Sequence, residues 1–331
     1  MHTLVFLPMN SEIFQSEALN QPILVLDQLS KRFGENQAVN QLSLSISRGE
    51  IFGLLGPNAS GKTTTIRMLT GILLPSSGNA TILGYDLLRD PTIIKNHIGY
   101  VAQYFGLYPE LTVLENLRFY ASLYNNSRAL SPVLEQYGLA RFSRHRAGML
   151  SGGYQRRLSI ACAICHDPEI MFLDEPTAGI DPVSRKEIWD LFYDMAAAGK
   201  ALFVSTHYME EAERCHKLAF LNRGQRVAYG SPSQIRGLLH DRRIWSTRVR
   251  HHPQLLRDLE QVRGIITLNR FGQYLRIIGT LQCANKEITE ILNTYSKEPV
   301  ALNVVDANLE DIFISLTEKE AVSVPSQRGR D

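Results

Sequence analysis

No stretch of the chain reaches the roughly 18 consecutive apolar residues that cross a bilayer as a helix. The opening patch Leu4-Val5-Phe6-Leu7 has no basic stretch before it, unlike a secretory signal. Four cysteines in 331 residues are too few for a disulfide scaffold. Charge of one sign is lacking as well: 35 basic residues against 33 acidic leave +2. That is far from the excess by which phosphate neutralisation drives nucleic-acid binding, so no nucleic-acid partner is expected. No internal repeat is evident. These absences predict a soluble globular protein that stays on the side of the membrane where it is made. At 44% hydrophobic residues the chain has material for two domains.

Only Cys162 and Cys165 are spaced as a CxxC pair. Leu158, Ala161, Cys162 and Cys165 fall at i, i+3, i+4 and i+7, the apolar face of a helix. No second Cys/His pair lies nearby to complete four zinc ligands, so both thiols are expected in the core.

What is present is organised. Ile23–Leu26 reads as a strand, and Leu42–Ser47 alternates apolar residues with serines, the mark of a strand with one wet face. Ile51–Leu55 is an apolar run followed by a Gly/Pro/Asn/Ser loop and by helical composition over Lys62–Thr70, with Gly71 as the stop. From about Pro109 to Leu150 the spacing of Leu111, Leu114, Leu117 and of Leu130, Val133, Leu134, Tyr137 predicts a helical subdomain. Ile170–Leu173 and Ala201–Val204 are unbroken apolar runs of the kind buried in parallel sheets, each ending in polar residues, and open α/β sheets place their chemistry at such ends. Beyond Gly230 a small α+β domain is expected, with strands near 245–250, 265–269, 274–278 and 300–305 and helices near 254–260 and 286–295. Residues 1–21 and a tail over 321–331 read as polar or irregular extensions.

Gly56-Pro57-Asn58-Ala59-Ser60-Gly61-Lys62-Thr63 matches G-x-x-x-x-G-K-[ST] between a strand and a helix, the context a phosphate-binding loop needs. Glycines let the backbone bend so that successive N–H groups and the helix N-terminus face phosphate oxygens. Lys62 then reaches the β- and γ-phosphates, and the Thr63 hydroxyl suits Mg²⁺. About 110 residues downstream, Asp174-Glu175 ends an apolar run. The aspartate is placed to hold the Mg²⁺ shell and the glutamate to orient and deprotonate water.

Leu150-Ser151-Gly152-Gly153-Tyr154-Gln155 opens a further helix, and Leu-Ser-Gly-Gly-x-Gln resembles the signature of ATP-binding cassette (ABC) ATPases. The likeness covers about residues 22–232 as an ATPase domain. It implies a P-loop NTPase α/β fold: a RecA-like core with an antiparallel β-subdomain and a helical subdomain (about 104–150), here with the C-terminal α+β domain over 240–320. It also implies roles: Phe33 stacking on adenine; Gly56 to Thr64 around the phosphates; Gln103 at Mg²⁺ or the attacking water; His207 at the γ-phosphate. By the same likeness Thr63, Gln103 and Asp174 hold Mg²⁺. Ser151, Gly152, Gly153 and Asp181 serve the ATP site of the opposite subunit. Asp181 also suits a helix N-cap before Pro182. One position departs from the pattern: Ala59 stands where such families commonly have Gly. If positive φ is required there, its Cβ costs about 1 kcal/mol or more.

The resemblance implies ATP and Mg²⁺ as cofactors, a second cassette as partner, and separate transmembrane permease subunits that hold the chain peripherally at the cytoplasmic face of the membrane. Residues 304–317 look like the ending of bacterial exporter ATPases of the multidrug, antibiotic and polysaccharide or lipid groups. A chromosome-maintenance ATPase would need a long coiled coil between Gln103 and Ser151, and a translation factor of this superfamily carries two cassettes. A regulator that uses nucleotide without transport is the alternative, separated by measured turnover.

Overall fold

The computed structural model describes residues 22–124, 129–250, 252–296 and 298–322. The expected N-terminal extension, and the tail from 323 onward, lie outside the described residues. The chain divides into two compact units, Met1–Arg226 and Val227–Asp331.

The first unit contains two sheets. Long strands β1 (Pro22–Phe33) and β2 (Asn36–Ser47) pair with each other. In β2, Leu42, Leu44 and Ile46 are buried while the serines between them are partly exposed, as the alternation requires. Strand β3 (Ile51–Leu55) is buried throughout and leads into helix α1 (Lys62–Leu69). This helix ends at Thr70, and Gly71 takes a φ of +68°, the left-handed stop that glycine permits. Strands β4 (Ser77–Ile82) and β5 (Tyr85–Asp86) complete the antiparallel sheet, in the order β2-β1-β4-β5.

Helix α2 (Pro91–His97) then precedes strand β6 (Ile98–Val101). The segment expected to be helical carries α3 (Val113–Leu123) and α4 (Ser131–Gln136), with two short 3₁₀ turns and no strand among its described residues. Helix α3 starts at a reciprocal Thr112/Glu115 capping box, which satisfies two of the amides a helix start leaves open. Helix α5 (Gly152–Ile164) buries Leu158, Ala161 and Cys162, and Cys165 is buried at its end. Burial pushes both thiols above the usual cysteine range, Cys165 to about 11, consistent with packing and not redox chemistry.

Strand β7 (Ile170–Asp174), helix α6 (Pro182–Ala197), strand β8 (Ala201–Thr206), helix α7 (Met209–Ala212) and strands β9 (Lys217–Asn222) and β10 (Gln225–Gly230) follow. The second sheet runs β10-β9-β3-β8-β7-β6. Its pairs β3–β8, β7–β8, β6–β7 and β3–β9 are parallel. Neighbouring parallel strands end on one side of a sheet, so the residues that follow β3, β8, β7 and β6 meet in one row.

After the end of β10, the second unit holds helix α8 (Pro232–Arg236), strand β11 (Arg242–Arg248), helix α9 (Pro253–Glu260), strands β12 (Ile265–Phe271) and β13 (Tyr274–Thr280), helix α10 (Asn285–Thr294), strand β14 (Asn303–Val304) and helix α11 (Leu309–Val322). The sheet order β12-β13-β11-β14 with antiparallel pairs is that of the split βαβ arrangement. Trp245 anchors its core with Leu255, Leu259, Ile277, Ile288 and Leu292, and its indole N–H donates to Asn285 Oδ1 at 3.0 Å.

Three expectations are corrected in this unit. The strand expected at 245–250 is shifted to 242–248, because its ladder with β13 pairs Arg242 through Arg248. The strand expected over 300–305 shrinks to two residues: Asn303 and Val304 pair with Ser246 and Trp245 of β11, and the ladder ends with the Val305 amide donating to Ile244 O at 2.9 Å. The last helix continues to Val322, past the point where an irregular tail was expected. Its start is held by the Asp311 carboxylate, which accepts the Asn308 amide at 3.0 Å and pairs with Arg276.

Candidate nucleotide site

The loop after β3 is shaped by two glycines that no other residue could replace. A Cβ on Gly56 would meet Leu221 O at 2.3 Å, and one on Gly61 would meet Ala38 O at 2.5 Å with Gly61 at φ +107°. Ala59 between them has φ +63°, so the strain anticipated for its Cβ is present. The αL penalty of about 1–2 kcal/mol exceeds the roughly 0.4–1 kcal/mol of unfolded-state entropy that a glycine would add back. Ala59→Gly is therefore expected to stabilise the chain by about 0.5–1 kcal/mol, read from the midpoint of urea unfolding. An unchanged or lower midpoint would show that the loop bears no strain.

Lys62 is nearly buried. Its ammonium donates to Gly56 O at 2.8 Å and Pro57 O at 3.1 Å. Burial pulls its pKa below the ordinary lysine range, opposed by the carboxylates of Glu175 and Asp174. Glu175 Oε1 stands 3.4 Å from it. The other oxygen of Glu175 accepts from Gln103 Nε2 at 3.2 Å, and His207 Nδ1 approaches that same oxygen to 3.3 Å without hydrogen-bond alignment. Glu175 itself has φ +45°. A non-glycine residue pays for that conformation only where its surroundings impose it. Ser205 imposes it here: its hydroxyl accepts the Glu175 amide at 2.9 Å and donates to Asp174 Oδ1 at 2.6 Å.

Thr63 Oγ1 donates to the same Asp174 oxygen at 3.2 Å. A hydroxyl and a carboxylate side by side are hard oxygen donors, the kind Mg²⁺ takes one or two of while phosphate oxygens and water complete its octahedron. The Thr63 hydroxyl and the Asp174 carboxylate, two oxygen donors on one side, fit an ion that brings phosphate oxygens with it.

A cavity of about 730 Å³ opens over this row, lined by Phe33, residues 58–64, Gln103, Glu175 and Arg223. Phe33, at the end of β1, is 49% exposed, with the Lys31 ammonium 5.1 Å from its ring centroid. An exposed aromatic face beside a phosphate-shaped loop suits a planar base.

Ser151, Gly152, Gly153 and Asp181 do not line that cavity. Ser151 and Gly152 are exposed at the start of α5, and a Cβ on Gly152 would meet nothing within 4 Å. Gly153 differs, because its Cβ would lie 2.5 Å from Ser184 Oγ. Asp181 caps α6, accepting the Val183 and Ser184 amides at 3.1 and 2.9 Å. Those bonds hold its carboxyl below the usual range.

Sequence reasoning missed several residues. The Arg156 guanidinium on α5 donates at 2.6 Å to both Ala102 O and Gln103 O, tying the signature helix to the glutamine. Ser205 and Arg223 were missed as well. Nothing local marks them: the partners of Arg156 and Ser205 lie 30 to 54 residues away along the chain, and Arg223 joins the cavity lining from after β9.

The ABC transporter family profile matches residues 39–178. The Nod factor export ATP-binding protein I of Cupriavidus pinatubonensis is 35% identical over 306 residues, covering 90% of this chain and 91% of that protein. The chain belongs to the ATP-binding proteins of the ABC transporter family. Another relative of this ABC protein is the probable multidrug ABC transporter ATP-binding protein YbhF of Escherichia coli, 40% identical over 221 residues. They make up 65% of this chain, but the match spans only 38% of that protein. Among solved structures, a dimeric ATP-binding cassette in a post-hydrolysis state bound to ADP and phosphate superposes with a TM-score of 0.58 at 28% identity, over 63% of this chain and 98% of the other. The ABC protein thus has the P-loop NTPase cassette fold that its sequence motifs imply.

Proposed function

We propose that this ABC protein binds and hydrolyses ATP and that pairing of two cassettes drives export through separate membrane subunits. The observation that carries the reading is the placement of one buried carboxylate, Glu175, against Lys62, Gln103 and His207, at the shared end of four strands.

Residues 22–232 form the ATPase domain in this reading, with the helical subdomain at about 104–150, and residues 240–320 an accessory domain. Lys62 leaves the carbonyls of Gly56 and Pro57 for the β- and γ-phosphates, where its charge is worth more than against neutral oxygens. The backbone N–H groups of residues 58, 59 and 61–64 donate to the remaining phosphate oxygens, and Phe33 receives the adenine. Thr63, Asp174 and Gln103 would hold Mg²⁺, which would neutralise charge on the phosphates. Glu175, freed from Lys62, accepts the proton of the attacking water, and Gln103 and His207 orient that water and the γ-phosphate. Release of phosphate by the purified chain with Mg²⁺ and ATP tests this. Binding without turnover would favour the regulatory reading.

The pairing rests on Ser151 and Gly152, exposed and outside their own chain's cavity. Gly152 is open within its own chain, so whatever needs a glycine there comes from outside, as an ATP bound to the second cassette would.

Attachment to the membrane rests on the segment after Gln103. A groove of about 380 Å³ is lined there by Tyr104, Leu107, Tyr120 and Tyr124, and Tyr104 is 82% exposed. No helix among the described residues is long and apolar enough to cross a membrane, so peripheral attachment at the cytoplasmic face needs a partner, and this groove suits a short helix of a permease subunit. Tyr104→Glu is expected to lower recovery of the chain with native membranes about tenfold while nucleotide affinity stays within about twofold. Equal recovery of variant and parent would place the contact elsewhere.

A further inference from the structure

Glu211 is 1% exposed on the short helix α7, outside the cavity lining. A carboxylate that deep is costly unless its oxygens are occupied. Two hydroxyls occupy them. Thr177 Oγ1 donates to one oxygen and Thr206 Oγ1 to the other at 2.7 Å. Both threonines are themselves buried, and they follow or end two adjacent parallel strands, β7 and β8.

Each threonine passes the constraint on. Thr206 Oγ1 accepts the Tyr208 amide at 3.0 Å, so the backbone is pinned on both sides of His207. Thr177 O accepts the Ile180 amide at 3.3 Å, the residue before Asp181. Arg185 closes the assembly: its Nε lies 3.7 Å from Glu211 Oε1, its Nη2 donates to Ile180 O at 3.4 Å, and its guanidinium sits 4.7 Å from the Tyr208 ring centroid. A leucine at position 211 would fill a similar volume without desolvating a charge. The carboxylate adds direction, accepting from two segments at once and fixing which way each hydroxyl points.

We infer that Glu211 is a positioning residue that locks the Thr206–Tyr208 segment to the Thr177–Asp181 segment, so that His207 at one ATP site and Asp181 at the other move as one body. The inference rests on the ATPase reading above for its consequence, though not for the lock itself.

The test uses the full chain with Glu211→Gln, in which an amide N–H replaces one acceptor. ATP turnover is expected to fall about tenfold at saturation with KM within about twofold, and the Tyr208 amide to exchange with solvent at least about tenfold faster. In a His207→Ala background, Glu211→Gln should add less than about twofold, because the residue acts through that histidine. Thr206→Val removes the hydroxyl that donates to Glu211 without touching the carboxylate and should give the same kinetic split if Glu211→Gln folds poorly. Parental turnover in both variants, or a full multiplicative loss on top of His207→Ala, overturns the proposal. If the unmutated chain shows no turnover, the hydrolysis reading fails and amide exchange decides alone: unchanged protection of Tyr208 in Glu211→Gln overturns the lock.

Discussion

Glu175→Gln is expected to lower steady-state ATP hydrolysis on the order of 10²-fold or more while leaving Mg-ATP binding intact. The amide keeps the size of the side chain and can still meet Gln103 and Lys62, but it cannot take a proton from water. The buried carboxylate now compensates Lys62 at 3.4 Å. Its neutralisation removes an attraction from an ammonium that burial already disfavours, so the lysine should turn more readily toward phosphate. ATP-bound pairs of cassettes should therefore accumulate, visible as a shift to twice the mass in ATP and not in ADP. Turnover near that of the parent chain in a sample free of contaminating ATPase would remove Glu175 from the role of base.

Lys62→Ala is the second large effect, because it removes the ammonium that stands 3.4 Å from Glu175 Oε1 and the charge that meets the phosphates. Turnover should fall on the order of 10²-fold or more. The same loss is expected for Gly152→Asp, whose side chain has open space within its own chain and so disturbs an approaching nucleotide without unfolding the helix start. Gly153 is unsuitable for this purpose, since any side chain there strikes Ser184. Mixing the two variants should restore activity. Half of the randomly formed pairs carry one site with an intact Lys62 and an intact signature from the other chain, so an equal mixture should recover roughly a quarter of the parental turnover. A mixture no more active than its separate components would overturn a site shared between copies of this chain.

The sequence by itself determined the loop 56–63, the acidic pair 174–175, the signature 151–155 and the strands leading into them. These are local: turn chemistry, unbroken apolar runs and caps depend on residues a few positions apart. It also marked Ala59 as the departure from the loop pattern, while the structure supplied the φ of +63° that makes its Cβ strained. The order of strands in the sheet lay beyond local pattern, since an apolar run of five residues does not reveal its neighbours. That order decided that Glu175 meets Lys62, Gln103 and His207, groups supplied by four different strand ends. The same holds for Ser205, Arg156 and Glu211, ordinary polar residues in the sequence that acquire roles from partners across the sheet. Tertiary structure also set the two-residue length of β14, because a strand is defined by its pairing with a neighbour, and the register with β11 pairs Asn303 and Val304.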